Sequence, residues 1–147
     1  MSIYLDHNAG APLRPEVHEA IARFAESGHG NPASVHRAGQ RARRALEEAR
    51  TRVAELVGAA RRSVIFTSGG TESNNLAVFG SVRAREPRRR IITSAIEHSS
   101  ILAPIAELER RGFEVVRIAP DAEGRIAPAA VLDALDSSTA LVTLGLA

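Results

Sequence analysis

The run Val64-Ile65-Phe66-Thr67-Ser68-Gly69-Gly70-Thr71-Glu72-Ser73-Asn74-Asn75 joins a short apolar segment to a polar one through two adjacent glycines. Its apolar part predicts a buried strand over 64–67, the glycines a tight turn, and the residues beyond a helix over 72–82 with an acid in its first turn. The same alternation recurs downstream. Strands are expected at 91–94, 113–118 and 140–144, and helices at 99–111 and 128–135, with Gly112 capping the first of these two. Several of the strands are apolar on both faces, as in a parallel sheet covered by helices. Right-handed crossovers then give an α/β fold, an open and mostly parallel sheet with flanking helices.

Upstream, residues 3–6 predict a short strand. Pro15 and Glu16 open a helix whose apolar set is Val17, Ala20, Ile21 and Phe24, with Gly28 as its stop. Residues 28–34 (GHGNPAS) read as a loop. A longer helix follows over 36–57, with the stripe Ala42, Ala45, Leu46, Ala49, Val53, Leu56 and Val57 on one face, pairs such as Glu48 with Arg52 on the other, and Gly58 at its end. The expected division is a two-helix segment over 1–62 and an α/β unit over 63–147. The last residues, Leu144-Gly145-Leu146-Ala147, follow directly on an apolar strand, at the sheet edge where open α/β folds place their ligands. An amino-terminal portion of a longer protein is therefore expected, with an unpaired strand edge that favours association or poor solubility.

Composition narrows the chemistry. The 147 residues suffice for about one domain, and 44% hydrophobic with 24% charged residues is a globular balance. No apolar run approaches the ~20 residues of a membrane span and the first residues do not form a signal peptide, so a soluble cytoplasmic protein is expected. Cysteine is absent, which excludes disulfides and thiol chemistry on this chain. All 19 basic residues are arginine, so the pI of about 10.3 accompanies a net charge of only +2. The clusters Arg41, Arg43, Arg44 and Arg88-Arg89-Arg90 are interleaved with acids or short of aromatic partners, at 3% aromatic content, and read as solvated surface rather than a nucleic-acid patch. His7, His18, His29 and His36 show no ligand spacing, and no metal is expected.

Two turns carry the candidate chemistry. At 67–72, glycines and the first amides of a new helix suit a phosphate, with Ser68, Thr71 and Ser73 as hydroxyl donors. A plain helix cap by Thr71 or Ser68 accounts for the same residues. The turn lacks the lysine of a nucleoside-triphosphate loop and the spacing of a dinucleotide fold. The second turn, Ser94-Ala95-Ile96-Glu97-His98-Ser99-Ser100, also leads from a strand to a helix. His98 there either stacks on a flat cofactor ring or exchanges protons, or it simply caps or hydrogen-bonds at the surface.

Four motifs, in order and at suitable spacing, resemble one family: Tyr4-Leu5-Asp6-His7-Asn8-Ala9-Gly10-Ala11-Pro12; Gly30-Asn31-Pro32-Ala33-Ser34 with His36; the glycine turn 66–75; and Ile91-Ile92-Thr93-Ser94 with Glu97-His98. Together they resemble the cysteine desulfurases, the NifS-like, class V aminotransferase group of fold type I pyridoxal-phosphate enzymes. The resemblance covers the whole chain but only the amino-terminal part of the family's usual length. It implies the first part of a large cofactor-binding domain over 63–147, with pyridoxal 5'-phosphate as cofactor. Gly70 and Thr71 correspond to the phosphate turn. His98 corresponds to the catalytic histidine stacked on the cofactor ring, and Asn8 and Ala9 to residues near the substrate. The 30–34 loop corresponds to a segment near the active site and dimer interface. Gly10 stands where a threonine is frequent in the family.

The resemblance further implies conversion of L-cysteine to L-alanine with sulfur passed to an acceptor thiol, a sulfur-acceptor protein, a homodimer, and a link to iron–sulfur cluster biogenesis. The family's lysine and cysteine have no counterpart here, so the chain alone is expected to be inactive. Selenocysteine lyase or aminotransferase activity on the same scaffold, or a non-catalytic module binding a phosphate or a partner, are the alternatives.

Overall fold

A computed structural model describes residues 3–7, 9–26 and 30–145. The chain divides into two compact units, Met1–Ile65 and Phe66–Ala147.

In the first unit, helix α1 spans Pro15–Glu26 and helix α2 spans Arg37–Leu56. Pro15 fits the first turn of α1 because its fixed φ is helical and its missing N–H would be unbonded there. Gly28, its expected stop, lies outside the described residues. On the apolar face of α1, Ile21 and Phe24 are both exposed. His36 caps α2, its Nδ1 accepting the Gly39 amide at 3.3 Å. The 30–34 loop lies tightly on this first turn. A Cβ on Gly30 would collide with the Ala38 backbone, and one on Gly39 with Asn31 O and the Ser34 side chain, both at 2.7 Å. Gly58, at φ +63°, ends the helix.

Two upstream expectations fail. Residues 3–6 form no strand. They curl instead around the Asp6 carbonyl, which accepts Ala9 N at 3.2 Å and lies 2.7 Å from the Tyr4 hydroxyl. The Asp6 carbonyl thus finds local donors in place of a neighbouring strand. The expected stripe of α2 is also incomplete as a packing face, with Leu56 and Val57 exposed; the buried positions are Gly39, Ala42 and Ala54. Besides the 30–34 loop, a 3₁₀ turn, Arg61–Ser63, packs on α2. There Glu47 pairs with Arg61 and with Arg50, and Arg50 donates to Val64 O.

The second unit is α/β, in the order α3 (Gly70–Ala84), β1 (Arg90–Ser94), α4 (Ser99–Arg110), β2 (Glu114–Ile118), α5 (Pro128–Ala134) and β3 (Thr139–Thr143). The sheet is wholly parallel with order β2-β1-β3; Ile92 pairs with Val116 on one side and Val142 on the other. As the central strand, β1 buries Ile91, Ile92, Thr93 and Ser94. Val78 and Val82 of α3, Ile105 and Leu108 of α4, and Ala140 of β3 complete the core with Ile91. Gly112 closes α4 at φ +82°, a conformation in which a Cβ is strained.

The strand expected at 64–67 does not form: these residues belong to no strand of the sheet, and Ile65 is 65% exposed. The three-stranded sheet forms without it. In the arginine triplet Arg88 and Arg89 are exposed, as expected, and Arg90 is half-buried, but all three make defined contacts. Arg90 pairs with Glu114 (2.8 Å) and Asp136, Arg89 donates to Arg111 O (2.6 Å) with its guanidinium 4.5 Å from the Phe113 ring centre, and Arg88 donates to Thr139 O (3.3 Å). These side chains tie the amino-terminal ends of the three strands together.

Candidate functional site

The site is built from the first turns of α3 and α4. Gly69 is the N-cap of α3 in an extended conformation, and the first bond of the helix runs from Ser73 N to Gly69 O at 3.1 Å. The amides of Gly70, Thr71 and Glu72 therefore precede the helix's own hydrogen-bond ladder and sit at the positive end of its dipole. A Cβ on Gly70 would meet nothing within 4 Å, so the backbone here is open to an approaching group.

Side chains hold this helix start in shape. One carboxylate oxygen of Glu72 accepts both the Ser68 amide (2.6 Å) and the Ser68 hydroxyl (2.7 Å). The Ser68 backbone bond, then its hydroxyl, lowers the Glu72 carboxyl below the usual range. Thr67 Oγ1 lies 2.7 Å from Ser73 Oγ. Of the three hydroxyls expected as phosphate donors, Ser68 and Ser73 are thus engaged within the turn. The Thr71 hydroxyl is the one to which no described residue bonds, while its carbonyl accepts Asn75 Nδ2 at 2.9 Å.

The second helix start follows β1. Ser94, buried at its end, donates to Glu97 Oε1 (2.7 Å), and the same oxygen accepts Gly145 N (2.7 Å). A Cβ on Gly145 would lie 2.9 Å from Glu97 Oε2, so this carboxylate fixes the path of the chain leaving β3. His98 is the N-cap of α4: its Nδ1 accepts Ser100 N at 3.1 Å and lies 2.7 Å from Ser100 Oγ. Ser100 Oγ in turn accepts Asn74 Nδ2 of α3 at 2.7 Å. The starts of the two helices are therefore joined by side chains at one edge of the sheet. His98 itself is exposed, on the wall of a cleft of about 770 Å³ that also takes in Glu97, Arg125 and Leu144.

Gly70, Thr71 and His98 belong to this unit. Ala9 lies in the first unit, in the turn closed on Asp6 O. Asn8 lies outside the described residues. Asn74, Ser100 and Arg125 were not singled out by sequence. The usable signal for Ser100 is its place two residues after a histidine at a helix start, where its amide reaches back to an N-cap side chain.

The sequence model of the family described as aminotransferase class-V matches residues 3–147. The chain belongs to that family. Among class V aminotransferase relatives, the cysteine desulfurase IscS of Dictyoglomus turgidum is 43% identical over 97% of this chain and 36% of its own length. Among solved structures, a NifS-like protein superposes with a TM-score of 0.89 at 32% identity, over 98% of this chain and 40% of that one. SspA in complex with cysteine superposes at 0.87 and 34% identity, over 97% and 42%. The chain thus spans well under half the length of the relatives it matches. The open parallel sheet with flanking helices agrees with these neighbours. Among the described residues no helix is long and apolar enough to cross a membrane.

Proposed function

We propose that this class V aminotransferase chain supplies the phosphate turn and ring-covering histidine of a cysteine desulfurase that uses pyridoxal 5'-phosphate. The complete enzyme converts L-cysteine to L-alanine and passes sulfur to an acceptor thiol as a persulfide, working as a cytoplasmic homodimer with a sulfur-acceptor protein. The observation that carries the reading is the Asn74–Ser100–His98 contact chain, which sets the imidazole beside the first turn of α3. Support comes from the relatives named cysteine desulfurase and from the cysteine complex of SspA.

The residues fit the cofactor. The amides of Gly70 and Thr71 and the free Thr71 hydroxyl form a donor set for a phosphate dianion at a helix start with open space before it. The exposed His98 ring presents a flat face for an aromatic ring. When bound, the cofactor supplies an electron-withdrawing ring that weakens the carbon–sulfur bond of cysteine. The protein's part is to hold the anionic tail, to keep the imidazole in one orientation, and to place a proton on its outer nitrogen. Asn8 and Ala9 are proposed to lie near the substrate.

The chain has neither lysine nor cysteine, so turnover is not expected from it alone; sulfide or alanine released from cysteine by the purified chain would contradict this. Titration with pyridoxal phosphate, followed by absorbance, tests the site. Thr71→Ala and His98→Ala are each expected to weaken binding about tenfold, the worth of one good polar contact. Binding indifferent to both changes would overturn the assignment and favour a non-catalytic module.

A further inference from the structure

We infer that Asn74 and Ser100 are positioning residues that set the tautomer of His98, holding Nδ1 as an acceptor and the proton on Nε2. This rests on the reading of His98 as the ring-covering residue, and names what keeps it in register. Three contacts form a directed chain. The amide nitrogen of Asn74 can only donate, and it donates to Ser100 Oγ at 2.7 Å. With that lone pair occupied, the hydroxyl hydrogen turns to its other neighbour, His98 Nδ1, also at 2.7 Å. The Ser100 backbone amide points at the same nitrogen from 3.1 Å. Two donors on Nδ1 leave Nε2–H as the only neutral form without a clash of hydrogens.

The chain is well placed to act. Ser100 is buried, only 7% exposed, so water does not compete strongly for its hydroxyl, whereas His98 opens to the cleft. The donor comes from α3, whose first turn offers the anion-binding amides, so one hydrogen bond couples the orientation of the imidazole to the helix that grips the cofactor's tail. A capping histidine without the side chains of Asn74 and Ser100 would be held by the backbone amide of residue 100 alone.

The test is nitrogen-15 NMR of the histidine rings of the full chain without cofactor, at a pH where imidazole is neutral. The long-range proton–nitrogen pattern of His98 is expected to show Nε2–H. Asn74→Asp is nearly the same shape and still bonds Ser100, so a merely structural link survives. Its carboxylate, however, draws the hydroxyl hydrogen away and turns a lone pair toward Nδ1. The tautomer ratio is expected to fall about tenfold, which corresponds to one hydrogen bond. Adding Ser100→Ala to Asn74→Asp is expected to restore Nε2–H, since the backbone amide then acts unopposed. Should Asn74→Asp fail to fold, Asn74→Ala reads the same coupling, with a smaller fall as the hydroxyl is freed to rotate. An Nδ1–H ring in the unaltered chain, or a ratio unmoved by either Asn74 change, would overturn the inference. Because no cofactor is present, this result is independent of the titration that tests the ring-covering role.

Discussion

The first turns of α3 and α4 are secured by different means. That of α3 is held by its own neighbours: Ser68 to Glu72 and Thr67 to Ser73, all exposed, after a segment that joins no sheet. That of α4 rises from the fully paired central strand and is tied by Glu97 to the end of β3 and by Ser100 to α3. A phosphate grips a few amides and tolerates a locally built cradle. The imidazole proposed to cover a ring needs a fixed origin, and β1 gives it one. The difference predicts that changes to the core reach His98 strongly, while changes at residues 67–73 stay local.

The largest effect is expected from Ile91→Ala. Ile91 has no exposure and sits between the sheet and both α3 and α4. Its truncation should cost about 2–5 kcal/mol in urea unfolding and broaden the His98 signals. Unchanged stability would mean that the core does not support the start of α4.

Next comes Glu97→Ala, which removes the acceptor shared by Ser94 Oγ and Gly145 N. A loss of about 1 kcal/mol is expected, with faster hydrogen exchange at Gly145 and little change at Ser68. Gly145→Ala should produce the same local loosening, because its Cβ would press on the carboxylate from 2.9 Å.

Acid separates the two helix starts further. The folded-state pKa of Glu72 is depressed, so its contribution is complete above the ordinary carboxylate range and disappears as pH falls through the lowered value. Protection of Ser68 N, measured as exchange relative to the unstructured amide at the same pH, should fall as pH drops through the lowered Glu72 value, and Glu72→Gln should remove that dependence. Protection of Ser68 N that does not change with acid would show that the carboxylate does not hold this turn. The smallest effect is expected from Ser73→Ala, at most about 0.5 kcal/mol, since the lost contact with Thr67 is exposed.

The sequence made the second unit legible because its signals are local. Strands at 91–94, 113–118 and 140–144 and the three helices fall within a residue or two of the observed elements. Segment 64–67 was misleading for a physical reason. Its composition suits a strand, but a strand exists only where a neighbour completes the ladder, and composition does not report neighbours. The apolar stripe of α2 misled similarly, since periodicity shows which face wants cover and not whether cover is present. In the site, the glycine turn and His98 stood out as residue types. The bond from Asn74 to Ser100 spans 26 positions and brings together two polar residues of ordinary appearance. The arginine triplet looked like surface charge, and only the strand order shows that three strand starts converge beneath it.

The order β2-β1-β3 carries a consequence for synthesis. The middle strand is translated first, and both of its flanking partners come later in the chain. Residues 91–94 thus leave the ribosome with both backbone edges unpaired and Ile91 and Ile92 uncovered, and neither side is closed until α4 and then α5 have been made. Such long-range parallel pairing is slow, so nascent-chain binding by a holdase should be concentrated in this interval and should end when Thr143 has emerged.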